Sequence, residues 1–240
     1  MTPPPAAKSE LTPTGKLRVG INYGNFLLVT RHSDSDYSGI AVDLGRELGT
    51  RLGVPIELVA FATAGKLADA VKSGAWDVAF LGNEPQRAGD IAFSSPYLEI
   101  EAGYLVPAGS PIKTMAEVDR KGVRIAVAIN SAYDLYLVRS LKQATRVPVQ
   151  GIQGSYDVFV KDKLEVLAGL KPRLLDDAKT LPGSRILDGR FTVVQQSVGT
   201  PQGRPAAAKY LGEFAKEIKA SGLVAQAIAR HKVSGVTVAA

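Results

Sequence analysis

IAVDLGRELGTRLGVPIELVAFATAGKLADAVKSGAWDVAFL, residues 40–81, carries the alternation that decides the fold. Its first part places an apolar residue every four positions, at Ile40, Leu44, Leu48 and Leu52, which paints one face of a helix. Asp43, Arg46, Glu47 and Arg51 fall on other faces, and Gly53 stands where a left-handed glycine stops a helix. IELVAF, residues 56–61, then reads as a strand, and KLADAVKS, residues 66–73, as a helix closed by Gly74. VAFL, residues 78–81, is apolar throughout, as a strand covered on both faces should be. Trp76, just ahead of it, reads as core, because a large aromatic buries most of its area.

Upstream, LRVGI, residues 17–21, supplies a first strand that ends in the turn formers Asn22, Gly24 and Asn25. The resulting β-α-β-α-β series implies a parallel sheet with right-handed crossovers. A second series opens at VRIAVAI, residues 123–129, and runs into a helical pattern over 135–144. Between them GYLV, residues 103–106, followed by PAGSP, reads as a strand leaving one lobe. FTVV, residues 191–194, leads through SVGTPQGRP to a last helical region with Ala208, Leu211, Phe214, Ala215 and Ile218 on one face. LVAQAIA, residues 223–229, follows the break at Gly222. The expected architecture is α/β in two lobes, each a mainly parallel sheet flanked by helices. Residues 16–106 with 197–240 form lobe 1, and 107–196 form an inserted lobe 2. MTPPPAAKSELTPTG, residues 1–15, reads as a flexible leader; a start after a removed signal and a cytosolic start both fit it.

Composition narrows the chemistry. The 240 residues are 45% hydrophobic and 22% charged, ordinary for a folded domain, and no apolar run approaches the roughly 18–20 residues that span a bilayer. There is no cysteine, which removes disulfides, thiolate metal sites and thiol nucleophiles together. A net charge of +6 raises the local concentration of anions. Its Lys and Arg residues are spread along the chain without an aromatic-interleaved basic block, so no nucleic acid is expected as a partner.

No G-x-S-x-G elbow, Walker loop or G-x-G-x-x-G after a strand occurs. Only two histidines are present; His32 in a polar loop and His231 in ARHKV both read as structural or solvated. No metal and no catalytic residue is therefore assigned. Two polar clusters remain, each at the end of an apolar strand, where open α/β sheets bind ligands. One runs from Gly82 through Glu84 to Arg87; its glycine exposes main-chain amides and its arginine offers a fork that fits a carboxylate. The other is Asn130–Ser131–Ala132, where Ser or Asn caps a helix whose first amides attract an anion. Capping alone would explain the second cluster; one cluster per lobe suggests a clamp on an anion.

Taken in order, GKLRVGIN, SGIAVDLGRELGTRLGVPIELV, SGAWDVAFLGNEPQRAGDIAFSSPYLEIEAGYLV, SPIKTMAEVDRKGVRIAV and LGEFAKEIKASGLVAQAI resemble the extracellular solute-binding family 3. These are the periplasmic amino-acid-type binding components of ABC transporters. The resemblance implies a type II periplasmic-binding-protein fold with a ligand cleft at its hinge, and a monomer without cofactor that hands a small anionic or zwitterionic ligand to a transporter permease. It implies a periplasmic location, a signal peptide having been removed, and binding rather than catalysis. It also assigns the ligand-carboxylate arginine to Arg87, with Gly82, Ser131, Ala132 and Asn22 nearby. Two features depart from the family pattern. The loop from Gly82 to Arg87 is about two residues short, and Leu170, in EVLAGLKP, stands where amino-acid binders place an acid for the ligand ammonium. A buried ammonium needs a partner. The ligand then lacks an α-amino group, or Glu84 or Asn22 meets it. Two other activities are compatible with this fold: a cyclohexadienyl-dehydratase-like enzyme and a ligand-sensing domain.

Overall fold

The structure, a computed structural model, describes residues 2–240. The chain divides into two compact units, one made of residues 1–99 with 195–240 and the other of residues 100–194. The chain thus passes between units several residues before the expected point near 106, and again two residues before 196. The elements that lead to the first crossing are α1 (Pro5–Leu11), β1 (Leu17–Asn22), a small hairpin of β2 (Thr30–Arg31) and β3 (Tyr37–Ser38), α2 (Ile40–Leu52), β4 (Ile56–Phe61), α3 (Ala64–Asp69), β5 (Val78–Gly82), β6 (Ile91–Phe93) and β7 (Leu98–Val106). The second unit continues with β8 (Arg124–Ala128), α4 (Ala132–Ser140), β9 (Thr145–Val149), α5 (Gly151–Lys161), β10 (Val166–Leu170), α6 (Lys171–Lys179) and β11 (Arg185–Ile186). β12 (Thr192–Pro201) returns to the first unit, which closes with α7 (Pro205–Ala220), α8 (Leu223–Arg230) and β13 (Val236–Val238).

In the first unit the strand order is β4-β1-β5-β12. β4, β1 and β5 run parallel, as the alternating pattern requires, and β12 lies antiparallel to β5 with Ser197 opposite Leu81. The apolar stripe of α2 is buried along its length, and Gly53 ends the helix at φ 61°. Trp76 is fully buried among Leu67, Val71, Ala79 and Leu81, and its indole donates to the Leu67 carbonyl at 2.9 Å. Gly49 lets α2 lie against β4, since a Cβ there would sit 2.3 Å from Ile56 Cγ2.

Residues 5–11 correct the expectation of a flexible leader. They form a helix, and Ala7 and Leu11 are fully buried in it, so the Pro-Ala composition that suggested mobility instead provides a proline at the helix start and an apolar face. His231 takes the structural role: its Nε2 lies 2.8 Å from Asp43 Oδ2, which also accepts from Arg230.

In the second unit the order is β7-β10-β8-β9, with β8 parallel to both β10 and β9. Its core gathers Leu105, Ala126, Phe159, Leu164, Leu167 and Leu174. The helical pattern over 135–144 ends early, at Ser140, because the Asp119 carboxylate takes the amides of Lys142, Gln143 and Ala144 at 2.8–2.9 Å and draws them into a turn. Among the described residues, no helix is long and apolar enough to cross a membrane.

Candidate functional site

In the first unit, adjacent parallel strands bring Asn22 and Gly82 to the same edge of the sheet, at the C-terminal ends of β1 and β5. Asn22 turns the chain sharply: its Oδ1 accepts from Gly24 N at 3.0 Å and its carbonyl accepts from Asn25 N at 3.3 Å. Beyond Gly82 a short 3₁₀ turn, Pro85–Arg87, carries the arginine back over the strand end. Arg87 Nη1 donates to the Gly82 carbonyl at 2.7 Å, and the Arg87 amide donates to the Glu84 carbonyl at 2.9 Å.

Glu84 and Arg87 are 5% and 6% exposed, so this turn holds an acid and a base that both lie almost entirely out of water. Burial lowers the Arg87 guanidinium to about 10, against the opposing pull of Glu84 and Asp69. The nearby acids therefore help to keep the guanidinium charged in a poorly solvated place. Gln196 on β12 pairs in register with Gly82 and is also buried; it is a polar residue of this edge that the sequence reading missed. The only signal for it was the pair Gln195–Gln196 following the apolar Val193–Val194.

In the second unit, Asn130, Ser131 and Ala132 do form the start of α4. Asn130 adopts φ 57°, a conformation that asparagine tolerates better than most residues. Ser131 is the N-cap, its Oγ accepting from Asp134 N at 3.1 Å. Asp134 reaches back to take the Asn130 amide at 2.9 Å, and Arg146 neutralises it in an ion pair. The helix start is thus already partly satisfied by its own carboxylate. The amides of Ala132 and Tyr133 have no partner within the helix by position, and so are what it can offer a ligand.

Leu170 ends β10, buried, alongside the segment that leads into α4. Lys171 follows it, but its ammonium is directed to Glu101 Oε2 at 2.6 Å, and Arg190 takes Glu101 Oε1 at 2.7 Å. The two cations hold the Glu101 carboxyl below its ordinary value. Tyr133, on the first turn of α4, is buried beside Ser131, and burial raises the pKa of its hydroxyl. The first unit by itself offers one buried cation and one acid at its strand ends, and the second by itself offers an apolar residue and the amides of a helix start.

Solved structures share this fold. A solute receptor for L-cysteine from Neisseria gonorrhoeae aligns with a TM-score of 0.80 at 19% identity, covering 95% of this chain and 95% of that one. A cysteine-binding protein from Campylobacter jejuni aligns at 0.78 and 15%, covering 94% and 92%. An ancestral amino-acid-binding protein, a precursor of cyclohexadienyl dehydratase, aligns at 0.76 and 21%, covering 93% and 98%. No curated protein matches the sequence. Residues 17–233 match the bacterial extracellular solute-binding proteins, family 3, and the chain belongs to that family.

Proposed function

We propose that this protein is a periplasmic binder that captures a small carboxylate-bearing molecule, an amino acid or a related organic acid, and delivers it to the permease of an ABC transporter. It acts as a monomer and does no chemistry on its ligand. The observation that carries this reading is Arg87: a guanidinium 6% exposed at the end of β5, directed along the strand edge by the Gly82 carbonyl. A guanidinium has several donors in a planar fork, so one that is bonded to Gly82 and lies beside Glu84 still has the shape to receive a ligand carboxylate. Gly82, Glu84 and Asn22 border it in the first unit, and Asn130, Ser131 and Ala132 are the contribution of the second. Proteins of related structure point the same way: a solute receptor for L-cysteine, a binding component complexed with lysine and a periplasmic binding protein specific for arginine.

Leu170 bears on what kind of carboxylate is bound. It brings no charge to meet an ammonium, so an α-amino group would rest on Glu84 or Asn22. A thermal-shift and calorimetric screen of amino acids beside their 2-hydroxy and 2-keto counterparts tests both points. Binding of a carboxylate that disappears in Arg87→Ala supports the assignment. A ligand whose affinity is unchanged by that substitution overturns it.

A further inference from the structure

α1 meets two other helices of the first unit at their ends. α7 begins without a side-chain cap of its own: its N-cap is Arg204, whose guanidinium is turned to Asp77 at 3.1 Å, and Pro205 follows. Glu10 from α1 supplies what is missing, its Oε2 accepting from Ala207 N at 2.7 Å. At the other contact Lys8 Nζ lies 3.9 Å from the point where a Cβ on Gly53 would stand, and Gly53 is the left-handed residue that closes α2. An acid thus sits at the N-terminus of one helix and a base at the C-terminus of another. Both signs match the helix dipoles they face.

A helix of seven residues does not hold itself together in water, so the order of α1 comes from docking. Ala7 and Leu11 are fully buried in that dock. The segment lies outside residues 17–233, the part that matches the family. We propose that residues 5–11 are a clasp that locks the first unit by capping α7 from outside, with Lys8 placed beside the end of α2.

The test uses the full chain with Glu10→Ala, Glu10→Gln and Lys8→Glu, and a chain lacking residues 2–12. The shortened chain is expected to melt lower by on the order of 5 °C or more. Hydrogen exchange at the Ala207 amide gives a local readout. Glu10→Ala should remove its protection, whereas Glu10→Gln, whose carboxamide oxygen still accepts, should keep most of it. Lys8→Glu should lower the melting temperature more at low salt than at high salt. Should the shortened chain fail to fold, that supports the clasp, and the Glu10 pair then carries the decision. Equal melting temperatures with and without residues 2–12, or unchanged Ala207 exchange in Glu10→Ala, would overturn the proposal.

Discussion

Arg87 donates through Nη1 to the main-chain oxygen of Gly82 at 2.7 Å, so the guanidinium of the candidate site is anchored on the strand that leads to it. This bond fixes the direction of the fork before any ligand arrives. A side chain with a different donor pattern loses that direction even when it keeps the charge. Arg87→Lys should therefore weaken carboxylate binding by about tenfold, and Arg87→Ala by about a hundredfold or more, which is roughly 1.4 and 2.7 kcal/mol. Titration calorimetry measures both, with circular dichroism as the check on folding. Equal affinities for Arg87→Lys and the parent protein would show that the Gly82 anchor is irrelevant to binding.

The same site has a pH signature. Burial lowers the Arg87 guanidinium from its ordinary value while Glu84 and Asp69 pull the other way, and a guanidinium stays charged throughout the neutral and mildly alkaline range. An anion held by it should keep the same affinity from about pH 6 to about pH 9. A loss of affinity across that range, with control spectra excluding unfolding, would mean that a group other than Arg87 binds the ligand.

Asp77 is the main electrostatic joint of the first unit. It is fully buried, receives Arg18 through Nε at 2.9 Å and Nη2 at 2.8 Å, and receives Arg204 at 3.1 Å. Removing the acid leaves two guanidinium groups in a partly buried place without their counter-charge. Asp77→Ala should cost about 3–5 kcal/mol in chemical denaturation, as breaking a buried pair does. A loss below about 1 kcal/mol would place the joint among weak surface pairs.

Gly24 is a third sensitive point. A Cβ there would stand 2.1 Å from the Ala62 carbonyl oxygen, so the turn that Asn22 makes passes directly under the loop between β4 and α3. Gly24→Ala should destabilise by about 1–3 kcal/mol, the usual range for inserting an atom into packed structure. On the proposed site, which includes Asn22, ligand affinity should fall as well. A variant with parent-like stability and affinity would show that the turn has room to move.

Local signals were enough for the elements whose pattern repeats. The four-residue step of α2, the stop at Gly53, the all-apolar β5 and the break at Gly222 each depend on a few neighbouring residues, and all stand where their patterns place them. Elements without such a pattern were harder to read. β9 is TRVPV, polar at one end and interrupted by Pro148, and its pairing with β8 supplies the hydrogen bonds that its composition does not suggest. α1 was read as mobile because its order depends on a partner almost two hundred residues away.

The sequence alone determined the α/β class, the two-part organisation and the kind of side chain at the strand ends, since periodicity and turn residues act over short distances. Tertiary structure decided the rest. Only folding could show that Arg87 is buried beside Glu84 and anchored on Gly82, that Asp134 already occupies part of the helix start at Ser131, and that Gln196 shares the edge with Gly82. The physical reason is the same in each case: burial, charge pairing and hydrogen-bond direction depend on residues far apart in the chain, and no local pattern encodes their distance.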